Sequence, residues 1–337
     1  MPTLGGGSAL TLTDWKERTR PDGKIAKIIE LLNDMNPILA DMMFVEGNLP
    51  TGHKTTVRSG LPSVTWRLLN YGVVPSKSRT VQVTDSIGML EAYAEVDKSL
   101  ADLNGNTAAF RLSEDMAFIE AMNQDMASTV FYGNTKTDPE KFMGLTPRYN
   151  DFDAANAENL IWGAAAADVA TTTSIWLVVW GANTCHGIYP KGSAAGLSVS
   201  DKGQQTLDDE NGGKYEGYRT HYKWDSGLTV RDWRYVVRIH SIDVTALVPA
   251  ATAGTANIVD LMTQAVEIPP NLAMGRAAFY CNKTIRSMLR RQITNISNVN
   301  LTLENYAGRK VVMFDGIPVH MCEGLLNNEV ALGDPDD

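Results

Sequence analysis

The sequence predicts an α+β fold made of two or three substructures. Three observations support this: residues 50 to 90 alternate between polar and apolar side chains as strands do, a long helical pattern begins near Asn106, and the region from Ser174 onward is rich in strand-like segments. At 337 residues the chain also exceeds the usual size of a single hydrophobic core.

Composition restricts the classes of protein that the chain can belong to. The formal net charge is −9, which argues against a surface that coats nucleic acid. The three cysteines are scattered, so they indicate neither a disulfide framework nor a structural zinc site, and a reducing compartment fits best. The N-terminus lacks the pattern of a signal peptide and no apolar run is long enough to span a membrane, so we expect a soluble protein.

Residues 1–49 are predicted to form an N-terminal arm and a helix. The first part is rich in glycine and lacks periodicity, as an extended arm would. From Lys24 to about Val45 apolar residues recur at helical spacing, and Pro37 interrupts them. A helix that is broken or kinked near Pro37 is therefore expected, ending before Gly47.

Residues 50–90 are predicted to form an extended loop, a β-hairpin. Residues 63–67 and 80–84 alternate as strands, and Gly72 and Pro75 lie at the tip between them. This stretch contains five basic residues and a single acidic one, Asp85, which gives it a charge of +4.

Residues 91–159 are predicted to form a unit built around one helix at about 106–132. Apolar residues recur at helical spacing from Leu112 to Val130 and form one stripe. Residues 91 to 160 carry thirteen acids against five bases, a charge of −8. Four of these acids lie off the stripe on the helix, where they form either an ordinary solvated face or a face that receives the basic hairpin of a neighbour.

Residues 160–309 are predicted to form a β-rich domain, and residues 310–337 supply the last strands and a tail. Residues 174–180 form a nearly continuous apolar run that suits a strand buried on both faces. Residues 278–282 are expected to form a strand that leads into a helix at 284–294, and residues 310–321 to form two short strands.

No set of residues predicts catalysis, a metal site or a cofactor site. The acids Asp208, Asp209 and Glu210 are adjacent, so on a strand they would point to alternate faces, and a turn is expected there. His320 and Cys322 could share one face of a strand, but zinc needs a second pair of ligands that the sequence lacks. The common nucleotide-binding and hydrolase motifs are absent.

Two further groups are compatible with nucleic-acid binding but are better explained otherwise. A helix with Lys283, Arg286 and Arg290 on one face lacks interleaved aromatic residues, so a solvated or subunit-facing stripe is favoured. The aromatic residues between Tyr215 and Tyr235 lie in a strand-rich region, where core packing or cross-strand pairing is more common than base stacking.

The opposite charges of the hairpin and the helix predict a subunit that binds copies of itself. Nothing else in the chain has the features of an active site, so an enzyme is not expected. We expect the following residues to form inter-subunit contacts: Arg58, Trp66, Arg67, Lys77 and Arg79 on the hairpin, and Glu114, Asp115, Glu120 and Asp125 on the helix.

The order of these parts resembles the major capsid protein of tailed bacteriophages, which has the Hong Kong 97-type fold. The segment from Asn36 to Arg58 resembles the N-terminal region of a capsid family in short-tailed phages. The segment from Ala278 to Arg286 is similar to the strand, asparagine and helix of the axial domain in that fold, and residues 316–319 resemble its late C-terminal strand.

The resemblance implies a fold, a function and partners. It implies an N-terminal arm, an extended loop, a peripheral domain with a long spine helix, and an axial domain at 160–309. It implies hexamers and pentamers that tile an icosahedral shell around double-stranded DNA in the virion, assembled in the host cytoplasm with a scaffolding protein, a portal and a cement protein as further partners. The lysine and asparagine that crosslink the type member have no counterparts here.

Two alternatives to a phage capsid are also compatible with the sequence. An encapsulin-like compartment protein shares the fold but encloses no genome. A soluble β-rich enzyme would need converging polar groups that the sequence does not provide.

Overall fold

A computed structural model describes residues 10, 36–103, 105–163, 165, 169–209, 212–245, 247, 257–295, 301–306 and 309–332; the side chains of 292–295, 301–306 and 309–311 are excluded from this description. Most of the predicted N-terminal arm and the acidic tail therefore lie outside the described residues. The helices are α1 Ile38–Asp41, α2 Lys98–Ala101, α3 Thr107–Tyr132, α4 Ile258–Glu267 and α5 Lys283–Asn295. The strands are β1 Phe44–Glu46, β2 Gly52–Gly60, β3 Arg79–Asp97, β4 Leu160–Trp162, β5 Thr172–Trp180, β6 Cys185–Tyr189, β7 Ser198–Asp208, β8 Lys214–Val230, β9 Val236–Asp243, β10 Arg276–Cys281, β11 Leu301–Tyr306, β12 Arg309–Phe314 and β13 Ile317–Met321.

The described strands join into one sheet that extends from a compact body into a projecting hairpin. The main path runs β11-β12-β13-β10-β5-β6-β8-β3-β2, with β9 and β4 branching from β5, β7 pairing with β8, and β1 pairing with β6. The mixture of this sheet with separate helices confirms the α+β prediction. The domain boundaries at residues 49, 90, 159 and 309 stay a prediction.

Strand β5 lies at the centre of the body and is buried along its whole length. One face, with Trp176 and Val178, packs against the C-terminal half of α3 in one hydrophobic core. The other face, with Ile175 and Leu177, belongs to a second core that includes α4 and α5. The apolar run at 174–180 thus predicted correctly a strand covered on both sides.

The transition from β10 into α5 depends on Asn282. Its Oδ1 accepts a hydrogen bond from the backbone N–H of Ile285 at 3.0 Å, which caps the first turn of the helix. Its Nδ2 donates to the hydroxyl of buried Thr173 at 2.7 Å, which ties the helix start to β5. The predicted order of strand, asparagine and helix is therefore present, with the helix ending at Asn295.

Two predictions about the N-terminal third are wrong. The helical pattern does not continue to Val45, because Phe44–Glu46 pairs in parallel with β6, whose free edge is a better partner for these backbone groups than an isolated helix turn. Residues 63–67 do not form a strand either. The first strand of the hairpin is β2, and β3 continues to Asp97 because its second half pairs with β8.

Candidate subunit interface: the hairpin and the long helix

The hairpin tip, residues 61–78, exposes large apolar side chains to solvent. Trp66 is fully exposed at 101%, and Val64 and Leu61 are exposed at 91% and 81%. Within the tip, the Ser76 hydroxyl donates to the Ser63 carbonyl at 2.7 Å, a single bond across a long connection. A contiguous apolar surface of this kind on a segment that projects from the body marks an interaction site.

The base of the hairpin is fixed to the body through a buried ion pair. Asp85 on β3 accepts a hydrogen bond from the guanidinium of Arg148 at 2.8 Å, and the Asp85 side chain is almost fully buried. Arg148 also donates to the carbonyls of Gly144 at 3.2 Å and Leu228 at 3.1 Å. The tip is thus presented from a rigid base.

Two histidines meet beside this ion pair. The rings of His53 on β2 and His186 on β6 contact edge to face, with centroids 5.9 Å apart. Burial, the neighbouring His53 and the Arg231 guanidinium lower the pKa of His186 to about 4. Burial and Arg231 also lower the pKa of His53. Both rings are therefore neutral at pH 7, and the base of the hairpin carries no positive charge from them.

The long helix α3 has 26 residues, about 39 Å, and its apolar stripe is divided. Met126 and Val130 are buried in the body. Leu112, Met116 and Ile119 lie on the N-terminal half and are exposed by 60%, 50% and 41%. The sequence predicted one continuous stripe, whereas in the structure only its second half meets the core and its first half remains uncovered.

The N-terminal half of α3 packs by another face on the sheet formed by β3, β7 and β8. The ring of Phe118 stacks on Tyr222 with centroids 6.3 Å apart. Arg111 pairs with Asp201 at 2.6 Å and lies 5.0 Å from the centre of the Tyr218 ring. Aromatic residues of β8 that were candidates for base stacking are thus occupied by contacts with α3.

The four predicted acids on α3 differ in what they contact. Burial and the nearby Asp115 carboxylate raise the pKa of Tyr222. Glu120 accepts a hydrogen bond from Gln124 at 3.2 Å. Glu114 is half-buried, whereas Asp125 is exposed and borders a cavity of about 100 Å³ beside Met89.

The predicted basic residues of the hairpin are all exposed, and no ion pair joins them to the helix acids within the described part of the chain. The structure thus does not bring the two sets together in one subunit. The basic residues in question are Arg58, Arg67, Lys77 and Arg79.

A C-terminal strap, residues 322–332, holds the body together and was not found from the sequence. Glu329 pairs with Arg238 at 3.0 Å, and both side chains are about 95% buried. The Tyr132 hydroxyl, at the end of α3, donates to Glu329 at 2.5 Å, and the Ser174 hydroxyl on β5 also donates to it. Burial and the Glu329 carboxylate raise the pKa of Tyr132, so it stays a donor. The only sequence signal was one arginine inside an apolar strand.

A second buried carboxylate, Asp41, fixes α1 to the sheet. It pairs with Arg276 at 2.7 Å and accepts a hydrogen bond from the Tyr280 hydroxyl at 2.9 Å. His320 lies 3.4 Å from the same carboxylate. Cys322 lies just beyond the end of β13, and its thiol approaches the Asn36 side chain at 3.2 Å.

The remaining candidates for chemistry have structural roles. Asp208 pairs with Lys214, and Asp209 accepts from the backbone N–H of Gly213, so both carboxylates join the end of β7 to the start of β8; Glu210 lies outside the described residues. Within the described residues, no group of three His, Cys, Asp or Glu side chains could hold a metal ion. In that part of the chain no helix is long and apolar enough to cross a membrane.

Comparisons with known proteins identify the family. The family described as "Major capsid protein GP7" matches residues 20–332. A solved chain of bacteriophage Epsilon15 has 40% sequence identity and a TM-score of 0.80, with 99% of this chain and 100% of that chain covered. A chain of the bacteriophage JBD30 capsid has 10% identity and a TM-score of 0.50, with 88% and 92% covered, which shows the fold alone.

Two further results bear on the alternatives. The encapsulin of Synechococcus elongatus PCC 7942 has 12% identity and a TM-score of 0.43, with 72% of this chain and 100% of that chain covered, a likeness too weak to support an argument. No curated protein matches the sequence.

Proposed function

This chain belongs to the GP7 major capsid protein family, and from that premise we propose how its copies bind one another in the shell they form. The family is one of structural capsid proteins, which confirms the predictions of a Hong Kong 97-type fold, of a shell-forming function and of a chain that is not an enzyme. The proposal concerns the contacts between subunits.

The hairpin tip of one copy lies across the exposed row of α3 in an adjoining copy. The observation that supports this is the presence of two uncovered apolar surfaces on one subunit, the tip around Trp66 and the row Leu112, Met116 and Ile119. Full burial of one such large side chain stabilises an interface by about 1.5 to 3 kcal/mol. Apolar burial therefore supplies most of the affinity.

Charge sets the register of this contact. Arg67, Lys77 and Arg79 approach the acidic helix, where Asp125 is the most exposed of the four acids. Arg58 lies nearer the body, on β2, and contacts another part of an adjoining copy. Asp115 contributes less, because its carboxylate lies near the Tyr222 hydroxyl of its own subunit. Each exposed pair contributes about 0 to 1 kcal/mol and is screened by salt, but the pair recurs at every subunit and favours one neighbour over others.

The assembled particle is an icosahedral shell tiled by hexamers and pentamers. It encloses double-stranded DNA without sequence-specific binding. Assembly takes place in the host cytoplasm with a scaffolding protein, a portal and a cement protein. The net charge of −9 supports this way of enclosing DNA, because an acidic subunit does not attract DNA to its whole surface.

The interface is tested by charge reversal on the hairpin. Arg67→Glu with Arg79→Glu should reduce the yield of shells at low salt without unfolding the subunit, and Asp125→Lys on the helix should partly restore it. The matched control is Lys191→Glu with Lys202→Glu, which makes the same change in net charge at exposed positions away from the tip. Electron microscopy measures the yield of shells, and circular dichroism shows whether the subunit is folded. Normal shells from the hairpin double variant would refute the contact.

The encapsulin alternative differs in what the particle contains. Particles from an infected host that hold DNA support the capsid function, whereas particles that hold only protein cargo support the compartment. Nuclease-protected DNA in purified particles distinguishes the two.

A further inference from the structure

A cleft runs along the outer edge of the hairpin. Its volume is about 680 Å³; one wall is formed by residues 55–61, and the other by Asn183 and the turn 231–234 that joins β8 to β9. Thr55 lies in this wall, is buried, and its hydroxyl has no hydrogen-bond partner among the described residues. The cleft adjoins the hairpin tip at Leu61, and none of its lining residues belongs to the exposed row on α3.

The wall formed by β2 is an unpaired strand edge. Among the described strands β2 pairs with β3 alone, and the side chain of Asn48 occupies the outer edge at Lys54, where it bonds to the backbone N–H and the carbonyl at 2.7 Å each. Backbone groups of a strand alternate in direction with a period of two, so Thr56 and Arg58 point their N–H and C=O groups to the same side as Lys54. These groups face the cleft and are available to pair with an added strand.

The cleft is positively charged. Arg234 is neutralised by a forked pair with Asp232, with distances of 2.9 and 2.7 Å. Arg231 is held by the carbonyl of Ala182 at 3.0 Å and by the Asn183 side chain at 3.5 Å, so its charge has no acidic partner in the described part of the chain. Arg58 likewise makes no ion pair there. Two arginines beside an open strand edge select an extended acidic segment.

We propose that this segment is the acidic tail of an adjoining copy, with Asp334 and Asp336 pairing with Thr56 and Arg58 of β2. On an added strand, residues two apart point their backbone groups to the same side, so Asp334 and Asp336 both face β2 while Pro335 faces away. The missing N–H of Pro335 then costs no hydrogen bond, and it blocks the addition of a further strand. Cross-strand neighbours share a face, so an aspartate carboxylate lies beside Arg58.

The tail comes from a second copy because a subunit's own tail does not reach its own cleft. Leu332 is fixed by a hydrogen bond from its N–H to the Ser241 hydroxyl at 3.0 Å, near the far end of β9. The cleft lies beyond Val236, about 16 Å away along that strand at 3.3 Å per residue. Asp334 reaches at most about 7 Å from Leu332 and Asp336 about 14 Å.

The test uses thiol crosslinking in assembled shells, and it rests on the proposed function because it needs adjoining copies. Thr56→Cys is combined with Asp334→Cys or Asp336→Cys, and shells are treated with a short bismaleimide. The native cysteines are buried and do not react. The matched control is Lys54→Cys with the same tail variants, because Asn48 blocks that edge position. We expect crosslinks between chains for Thr56→Cys in shells, and none for Lys54→Cys or for dispersed subunits.

Hydrogen exchange gives a second readout that needs no new cysteine. Removal of residues 333–337 should speed amide exchange in the peptide 55–61 of assembled shells by about tenfold, which corresponds to about 1.4 kcal/mol of lost protection. Crosslinks confined to single chains, equal crosslinking at Lys54→Cys, or unchanged exchange after removal of the tail would overturn the inference while shells still form. Absence of shells from the unaltered chain, seen by electron microscopy, would overturn the proposed function as well.

Discussion

Replacement of Glu329 by Gln should destabilise the subunit strongly, because it leaves Arg238 buried without its counter-ion. The Arg238 side chain is only 4% exposed, and besides Glu329 it donates to the Tyr149 carbonyl at 2.8 Å and lies 5.3 Å from the centre of the Trp176 ring, so water cannot replace the lost charge. Removal of one partner of a buried pair costs about 3 to 5 kcal/mol. The amide retains the size of the side chain, so the loss reports the charge and not a cavity.

The assay is urea unfolding of the dispersed subunit, followed by tryptophan fluorescence and circular dichroism. Glu158→Gln, at an exposed position, is the matched control and should change the free energy of unfolding by less than about 0.5 kcal/mol. The double variant Arg238→Met with Glu329→Leu should recover most of the loss, because apolar residues of similar volume can replace a buried pair. A loss below about 1 kcal/mol for Glu329→Gln would refute the role assigned to the pair.

Three further predictions concern pH, the helix end and the hairpin tip. The pKa of His186 is about 4 in the folded chain and 6.5 in the unfolded chain, so the unfolded chain binds more protons between these pH values. About 3 kcal/mol of stability is therefore present above pH 6.5 and is lost as the pH falls toward 4. The free energy of unfolding of His186→Phe should depend less on pH across this range. Gly133→Ala should destabilise the subunit by at least about 1 to 3 kcal/mol, because a Cβ there would lie 2.4 Å from the Phe142 carbonyl oxygen; an unchanged melting temperature would contradict this. Trp66→Ala should leave the melting temperature of the dispersed subunit unchanged and lower the yield of shells, since the Trp66 side chain is fully exposed; equal shell yields would contradict the proposed contact.

Local patterns predicted the elements that depend on local physics. The period of the apolar stripe predicted the long helix, and the continuous apolar run predicted β5. The asparagine between a strand pattern and a helix pattern marks the start of α5. The wrong predictions arose where a distant partner decided the conformation: Phe44–Glu46 became a strand because the edge of β6 was available. Residues 63–67 have strand-like alternation, but no described strand pairs with them.

Charge and the aromatic residue Trp66 predicted the candidate interface, while its apolar row on α3 required the structure. A sequence cannot show that Leu112 and Met116 face solvent, because the same spacing describes a buried stripe and an exposed one. It also cannot show that Asp115 turns toward Tyr222, since the two residues are far apart in the chain. The network around Glu329 was missed for the same reason.

The C-terminal strap has a consequence for the order in which the protein folds. Glu329 neutralises Arg238, and the backbone of Glu329 pairs with Thr172 at the start of the central strand. During synthesis, Arg238 and Thr172 leave the ribosome many residues before Glu329 does, so the interior of the nascent chain carries an uncompensated charge until the strap arrives. Subunits that are still being synthesised therefore lack a finished body, and the arrival of the strap determines when a chain becomes competent to join a shell.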